Sequence, residues 1–356
     1  MISRSLYISL LLANAVMLPR CSSTSEGAKS RSAASVVTPE IVQPEVDPHA
    51  KPQPTLGFAF DWDDNIFEMP TQIMLFDKKT GKQKGVSTEE FALIRGLVGK
   101  PGSQWEGYEM RPSPSDGSLR FFSDDAAEGK DFFAKDIKKA MSTAGYHWKG
   151  PVWDDFVSAM SDERTAANTW IITARLHAPK TIHAALLGLQ EQGLIKNTLP
   201  EQNIWAVSYQ GFDTIFKSQF SKLPPEGGAS DPSARKAAVM ESILDKITAQ
   251  PLPKAGTPTV RPSGVGTAIQ HLWGFSDDDF GNYSKALKVL QIGVDSNRWP
   301  NLKITLFFTG TNNPAEKPRA IVLRSKAAPR PYTESSEWKG LLPPASAGLP
   351  SLKKAN

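Results

Sequence analysis

The sequence predicts an α/β fold with a mostly parallel sheet and helices on both faces. Two observations support this prediction. Short apolar segments typical of buried strands alternate along the chain with segments that have helix start and stop signals. Three of the predicted strands also end in polar clusters, at the strand end where open α/β sheets bind ligands. The 356 residues suffice for one large or two modest domains, and the sequence has no apparent internal repeat.

Charge and cysteine content exclude some classes of protein. The net charge is +4, and residues 310–356 alone hold a surplus of five positive charges, so the rest of the chain is close to neutral. The high isoelectric point therefore reflects a basic tail and does not indicate a nucleic-acid-binding face. The single cysteine excludes an intramolecular disulfide and a metal site of the CxxC type.

The first twenty residues have the pattern of an export signal. Arg4 precedes an apolar segment from Leu6 to Leu18, which is too short to span a bilayer comfortably. Cys21 follows directly, as in bacterial lipoproteins, where that cysteine is lipidated, although Arg20 stands where the pattern has a small residue. We expect a lipid-anchored protein of the cell envelope. Ordinary secretion, or a cytoplasmic protein with a misleading start, are the alternatives.

The stretch from Gly57 to Phe67 is the first that predicts chemistry. Phe58–Phe60 reads as a short buried strand, and Asp61, Asp63 and Asp64 follow at its carboxyl end. Carboxylates this close repel one another, so a cation or a proton must belong to the site. A solvated acidic turn is the alternative reading of this stretch.

The next hundred residues predict an insertion before the second strand of the main sheet. Gln72–Phe76 reads as a strand and residues 78–84 as a hairpin turn. Ser87 and Glu90 form a capping box at the start of a helix. Further helices are predicted over 131–144 and 153–160, whereas residues 99–130 predict no element.

The remainder of the chain predicts strands alternating with helices. The predicted strands are 169–173, 203–208, 268–275 and 303–309. The predicted helices begin near Pro179, at Ser233 as N-cap, and near Tyr283. The predicted domains are a signal at 1–21, a disordered linker at 22–56, a catalytic domain at 57–325 with a cap at 77–165, and a disordered basic tail at 326–356.

Four polar motifs follow one another in a fixed order. They are an aspartate pair after a strand, a threonine ending a strand, a lysine near a helix start, and an acidic pair followed by an asparagine: Asp61-Trp62-Asp63, Ile171-Ile172-Thr173, Lys236 and Asp277-Asp278-x-x-x-Asn282. In this order they resemble the haloacid dehalogenase superfamily, whose members are mostly phosphatases. The resemblance covers residues 57–310 and implies that family's Rossmann-like sheet, with an inserted cap after the first strand.

The resemblance implies a role for each catalytic side chain. Asp61 would attack phosphorus and form an aspartyl-phosphate. Asp63 would protonate the leaving group and then activate the hydrolytic water. Thr173 would donate a hydrogen bond to a phosphoryl oxygen, and Lys236 would hold the nucleophile and the phosphate. Lys236 is the best match for this role. Lys217 and Lys222 lie in the same stretch between the second and fourth motifs and are the alternatives.

The resemblance also implies a Mg²⁺ cofactor. Its ligands would be the Asp61 carboxylate, the Asp63 backbone carbonyl and Asp278. Asp277 and Asn282 would support this set, with Asp277 as a neighbour that orients the ligands or as a second ligand. Asn65 replaces the threonine usual in the first motif, a position that shapes the turn.

These observations predict an exported, Mg²⁺-dependent phosphatase acting on a small phosphomonoester. Two alternatives remain open: a phosphotransferase or mutase with the same chemistry, and a catalytically silent, surface-tethered binding protein. A Ser-His-Asp hydrolase finds little support in the sequence, because no Gly-x-Ser-x-Gly elbow occurs. For Trp62 and Arg175, which flank the motifs, the sequence favours packing roles. The predicted cap contains no pattern that identifies the substrate.

Overall fold

In the computed structural model, the described residues are 55–128, 131–225, 231–249, 271–300, 302–310, 320–324 and 327–331. The predicted signal with Cys21, nearly all of the predicted linker and the tail from residue 332 onward lie outside these ranges. Within the described residues, no helix has the length and apolar character needed to cross a membrane.

The described chain alternates strands and helices, in agreement with the predicted class. The strands are β1 (Thr55–Phe60), β2 (Ile73–Asp77), β3 (Gln83–Val86), β4 (Tyr108–Glu109), β5 (Thr169–Thr173), β6 (Ile204–Ala206), β7 (His271–Asp277), β8 (Leu302–Phe308), β9 (Ala320–Arg324) and β10 (Ala327–Pro331). The helices are α1 (Thr88–Ile94), α2 (Phe132–Ser142), α3 (Trp153–Ala159), α4 (Glu163–Ala167), α5 (Pro179–Glu191), α6 (Phe212–Phe220), α7 (Pro232–Thr248) and α8 (Phe280–Asp295).

Seven strands form the main sheet, in the order β10-β9-β8-β7-β1-β5-β6. The five from β8 to β6 are parallel, and β9 and β10 extend the β8 edge in antiparallel pairing. The predicted mostly parallel sheet is thus confirmed. The boundaries need correction, because residues 55–56 of the predicted linker belong to β1 and residues 327–331 of the predicted tail form β10.

Helices cover both faces of this sheet, as the alternation of side chains along β1 shows. Phe58 and Phe60 point into a core with residues of α2, α3 and α5. Ala59 points the other way, into a core with residues of α6, α7 and α8. Since both faces are buried, the central strands read as continuous apolar segments, which made them recognisable in the sequence.

The segment between β1 and β5 contains a second, antiparallel sheet of three strands, ordered β3-β2-β4, and the helices α1 to α4. The predicted hairpin between β2 and β3 is confirmed, with Gly81 at φ +68°, a left-handed conformation that glycine adopts without strain. Ser87 caps α1 as predicted, since its hydroxyl accepts from the Glu90 amide at 3.0 Å. The sequence signals did not predict the short helices α4 and α6.

The strand order places a topological switch beside β1. The chain leaves β1 for β5 and β6 on one side, then returns to β7 and β8 on the other. Successive connections therefore diverge on either side of the central strand, which opens a crevice at its carboxyl end. The polar motifs of the sequence all lie at or near this end of the sheet.

Candidate active site

Three carboxylates meet at the carboxyl ends of β1 and β7. Phe60 lies opposite Ser276 in the parallel register, so the next residues, Asp61 and Asp277, lie side by side at this end of the sheet. Asp278 follows, and all three side chains offer oxygens within 4.8 Å of one another. The parallel pairing of two strands far apart in the sequence therefore creates the acidic cluster.

Lys236 bridges two members of this cluster. Its Nζ lies 3.0 Å from Asp61 Oδ2 and 2.7 Å from Asp277 Oδ2, and its side chain is only 1% exposed. Its two competitors for the role do not approach the cluster. Lys217 is exposed on α6, and Lys222 is an exposed partner of Asp245. The structure thus brings Lys236, and neither alternative, to the first and fourth motifs.

The cluster carries more negative than positive charge. Three carboxylates face one ammonium, so the fully ionised group has two uncompensated negative charges. Burial raises the pKa of Asp61 against the effect of Lys236, and burial together with Asp277 and Asp61 raises the pKa of Asp278 well above its usual range. Burial alone would lower the pKa of Lys236, but its two carboxylate partners outweigh this effect and raise it.

The same cluster contains a buried acceptor without a donor. Asp61 Oδ1 has no hydrogen-bond partner within the described part of the chain, although its other oxygen pairs with Lys236. Buried polar atoms are usually satisfied, so this oxygen is open to a proton or to a cation. Oxygen donors, closely spaced, with two excess negative charges, fit a hard divalent cation such as Mg²⁺. Asp61, Asp277 and Asp278 are the side chains able to hold it.

Asp277 is fixed by the helix that follows it. Its Oδ1 accepts from the Asp279 amide at 2.9 Å and from Asn282 Nδ2 at 3.2 Å. Asn282 in turn accepts from Ser233 Oγ at 2.7 Å. Ser233 was predicted to cap α7, but Asp231 does so by accepting from the Ala234 amide at 2.9 Å. The serine instead links the helix carrying Lys236 to the fourth motif.

Asn65 joins the loops that follow three strands. Its Nδ2 donates to the Asp61 carbonyl at 3.1 Å and to Ser276 Oγ at 2.9 Å, and its Oδ1 accepts from Thr309 Oγ1 at 2.8 Å. The side chain is fully buried. Sequence reasoning gave this position a role in shaping the turn, and the structure extends that role to the relative placement of β1, β7 and β8.

The Asp63 side chain lies outside the acidic cluster and pairs with Arg175. Arg175 Nε donates to Asp63 Oδ2 at 2.9 Å, and its Nη2 donates to Oδ1 at 2.6 Å. The guanidinium is fully buried, whereas the Asp63 side chain is 14% exposed. Both carboxylate oxygens therefore accept from one planar fork, the geometry that fixes a carboxylate most firmly.

The ion pair that Arg175 forms with Asp63 was not predicted from the sequence. Arg175 does pack, as expected, because its guanidinium lies 4.8 Å from the centre of the Phe122 ring and 4.7 Å from that of Phe133. Its ion pair joins residues 112 positions apart, which no local pattern encodes. The available signal was the charge itself, since an arginine directly after a buried strand needs a partner.

Thr173 and Asp64 are the remaining residues that the sequence analysis singled out near the site. Thr173 is the last residue of β5, is buried, and accepts from the Arg175 amide at 3.3 Å through its hydroxyl oxygen. Asp64 lies in the predicted turn, in the left-handed region at φ 52°, and accepts from the hydroxyl of Thr88. Burial, with the neighbouring charge of Asp63, raises the pKa of Asp64 to about 7.

Comparisons with protein-family models, with curated proteins and with solved structures found no significant match to this chain.

Proposed function

We propose that this protein is a Mg²⁺-dependent phosphatase that hydrolyses a phosphomonoester through an aspartyl-phosphate on Asp61. The observation that supports the proposal best is the unpartnered Asp61 Oδ1 in a buried cluster with Asp277, Asp278 and Lys236. One carboxylate thus has an oxygen free to bind a cation beside two further carboxylates, while its other oxygen is held by an ammonium. A nucleophile for in-line phosphoryl transfer needs this combination of orientation and charge compensation.

Each residue of the cluster would have a distinct role in phosphoryl transfer. Bound Mg²⁺ would supply positive charge to the phosphoryl oxygens, and Asp61, Asp278, the Asp63 carbonyl and in addition Asp277 are the groups to hold it. Lys236 keeps Asp61 oriented and offers its charge to the incoming dianion. Thr173, at the end of the adjacent strand, is the hydroxyl donor for a phosphoryl oxygen. Asp61 Oδ1 or Oδ2 then attacks phosphorus, and the alcohol departs on the opposite side.

Asp63 provides the acid and base. It gives a proton to the departing alcohol and takes one from the water that attacks the aspartyl-phosphate. Its carboxylate lies two residues beyond Asp61 on the same loop and outside the cation cluster. Because it is paired with Arg175 as an anion, it must take up a proton before it acts as the acid. A phosphate ion and the restored Asp61 carboxylate end the cycle.

The proposal extends to the finer fold and to location. The segment between β1 and β5, with its own small sheet and helices, would be the cap of a haloacid dehalogenase-like enzyme and would select the substrate. The export signal and Cys21 would place the enzyme in the cell envelope, lipid-anchored. Incorporation of radiolabelled palmitate at Cys21, absent in Cys21→Ser, tests this location.

The decisive experiment is a phosphatase assay over a panel of phosphomonoesters with Mg²⁺, with excess EDTA, and with Asp61→Asn. The wild type should release phosphate only with Mg²⁺, and Asp61→Asn should lose at least about 10³-fold in kcat, since the nucleophile itself is removed. Acid quenching after incubation with labelled substrate should trap label on the wild-type protein alone.

Asp154→Asn is the matched control, because Asp154 is an exposed carboxylate on α3 that is not part of the proposed site. It should keep wild-type kcat. A wild type without activity on the whole panel, or Asp61→Asn with undiminished activity, would refute the proposed function.

A further inference from the structure

The ion pair between Arg175 and Asp63 assigns a task to a residue outside the four motifs. We propose that Arg175 is a positioning residue that fixes the acid/base Asp63, and that the inserted segment between β1 and β5 sets this position through it. This inference builds on the proposed function, because Asp63 acquires a catalytic role only there.

The guanidinium fixes Asp63 by geometry. Two parallel N–H···O bonds of 2.9 and 2.6 Å tie both carboxylate oxygens to one rigid plane. A single bond would leave the carboxylate free to rotate about its last torsion, whereas the fork defines both its position and its plane. An acid/base group held this way meets the departing oxygen in one orientation, the condition for efficient proton transfer.

Arg175 itself is held by the inserted segment. Its Nη2 also donates to Thr71 Oγ1 at 3.0 Å, and the threonine hydroxyl donates to Asp136 Oδ2 on α2 at 2.6 Å. The rings of Phe122 and Phe133 lie against the guanidinium at under 5 Å. Apart from Asp63, these partners all come from residues 71–136 of the segment that follows β1.

The inserted segment thus reaches the acid/base without joining the cation cluster. Asp61, Asp277, Asp278 and Lys236 receive no side-chain hydrogen bond from residues 71–136 in the described part of the chain. Displacement of α2 would move Asp136 and Thr71, and through Arg175 it would move Asp63. The orientation of the acid/base therefore depends on how the segment is seated on the sheet.

The test is a double-mutant cycle on the full chain, with a phosphomonoester that the wild type hydrolyses. Arg175→Lys and Arg175→Met should each lower kcat about 10² to 10³-fold at a KM within about threefold of wild type, because general acid–base catalysis contributes on this scale. Lysine keeps the charge but not the fork, so it should fail to rescue. In an Asp63→Asn background, the same changes should cost less than about threefold.

A second pair of variants perturbs the network without removing the buried guanidinium, in case the Arg175 variants do not fold. Thr71→Val and Asp136→Asn should each lower kcat about three- to thirtyfold, and again only when Asp63 is present. Asp154→Asn should keep wild-type kcat. Mg²⁺-induced thermal stabilisation should be unchanged in Thr71→Val and Asp136→Asn, since the cation cluster is untouched.

The outcomes separate the two proposals. If the wild type is active and the Arg175 or Thr71 variants lose as much activity in the Asp63→Asn background as in the wild type, the positioning role is wrong and the proposed function stands. Wild-type kcat in Arg175→Lys would contradict the fork geometry. A wild type inactive on every phosphomonoester overturns both proposals together.

Discussion

Asp61 and Asp63 are two residues apart on one loop, yet their surroundings differ in a way that separates their chemistry. Asp61 shares an ammonium with Asp277 and has one oxygen without a donor in the described chain. Asp63 has both oxygens bound to the guanidinium of Arg175. The first environment is short of positive charge and has an oxygen open to a ligand, whereas in the second the carboxylate is charge-paired and held in place.

The difference shows how one loop can supply two unlike carboxylates. Asp61 faces β7 and the cluster that strand contributes, whereas Asp63 faces the end of β5 and the inserted segment. Neighbouring carboxylates in different environments are the usual basis for assigning different roles to an acidic pair. The acidic cluster depends on the sheet and on α7 and α8, whereas the pair of Asp63 with Arg175 depends on the inserted segment as well.

Lys236→Met should cause the largest loss of stability, and it acts on the cluster of Asp61, Asp277 and Asp278. It leaves Asp61 and Asp277 buried without a counter-charge, so the free energy of unfolding in EDTA should fall by about 3–5 kcal/mol, as measured by urea denaturation. Lys217→Met, on the exposed surface of α6, is the control and should change it by less than about 0.5 kcal/mol. A loss below 1 kcal/mol in Lys236→Met would show that the cluster does not need the ammonium.

Mg²⁺ should stabilise the wild type by about 2.7 kcal/mol at a hundredfold excess over its Kd, observed as a higher Tm. Asp278→Asn should show little of this gain, because it removes one of the three carboxylates proposed to hold the cation. In EDTA the same variant should be more stable than the wild type, since it removes a carboxylate whose pKa burial and like charges raise. Equal Tm shifts in both proteins would exclude Asp278 from the cation site.

We expect low pH to destabilise the protein through His177, which lies two residues after Arg175. Its imidazole is buried 5.3 Å from the ring of Phe133, and burial, with the charge of Arg175, lowers its pKa from 6.5 to about 2. Below pH 6.5 the unfolded chain binds a proton that the folded chain excludes, so stability falls as pH falls, by about 1.4 kcal/mol per unit.

His177→Leu removes this linkage and provides the measurement. The free energy of unfolding of the wild type relative to His177→Leu should drop by about 2 kcal/mol between pH 7 and pH 5. Parallel pH profiles of the two proteins would mean that the imidazole is not held neutral by the fold.

The smallest loss of stability is expected at Arg95, which, like Arg175, pairs with an aspartate but is exposed. It pairs with Asp279 at 2.8 Å and joins the end of α1 to the start of α8, but its side chain is 50% exposed. Arg95→Gln should reduce the free energy of unfolding by no more than about 1 kcal/mol, and less at high salt. A larger loss would indicate that this contact holds the inserted segment on the sheet.

Sequence patterns predicted the parts of the fold that have a strong local signature. The central strands are buried on both faces and read as apolar segments with polar ends, so β1, β5, β7 and β8 were found together with the cluster at their carboxyl ends. The edge strands β9 and β10 were missed. They lie in a segment of mixed polar and apolar residues, and their pairing is not local to one strand, because β9 pairs with the edge of β8 and β10 pairs with β9.

The residues of the candidate site likewise fall into those that a local sequence signal predicted and those that it did not. Asp61, Lys236, Asp277 and Asn282 are each preceded or followed by a recognisable strand or helix boundary, which made their convergence predictable. The partner of Asp63 was not predictable, because its charge match with Arg175 depends on how β5 and the inserted segment pack. Ser233 misled for a related reason, since a capping serine and one that bonds across to Asn282 look alike in sequence.

The position of β1 in the middle of the sheet has a consequence for biosynthesis. One of its neighbours, β7, is encoded much later, as the 211 residues between Asn65 and its partner Ser276 show. At about 5–20 residues per second, the ribosome needs roughly 10–40 s to deliver β7 after β1 has emerged. Until β7 is synthesised, at least one edge of the apolar strand β1 has no partner strand. The loop that carries Asp61 reaches its final shape only when synthesis of the domain is nearly complete.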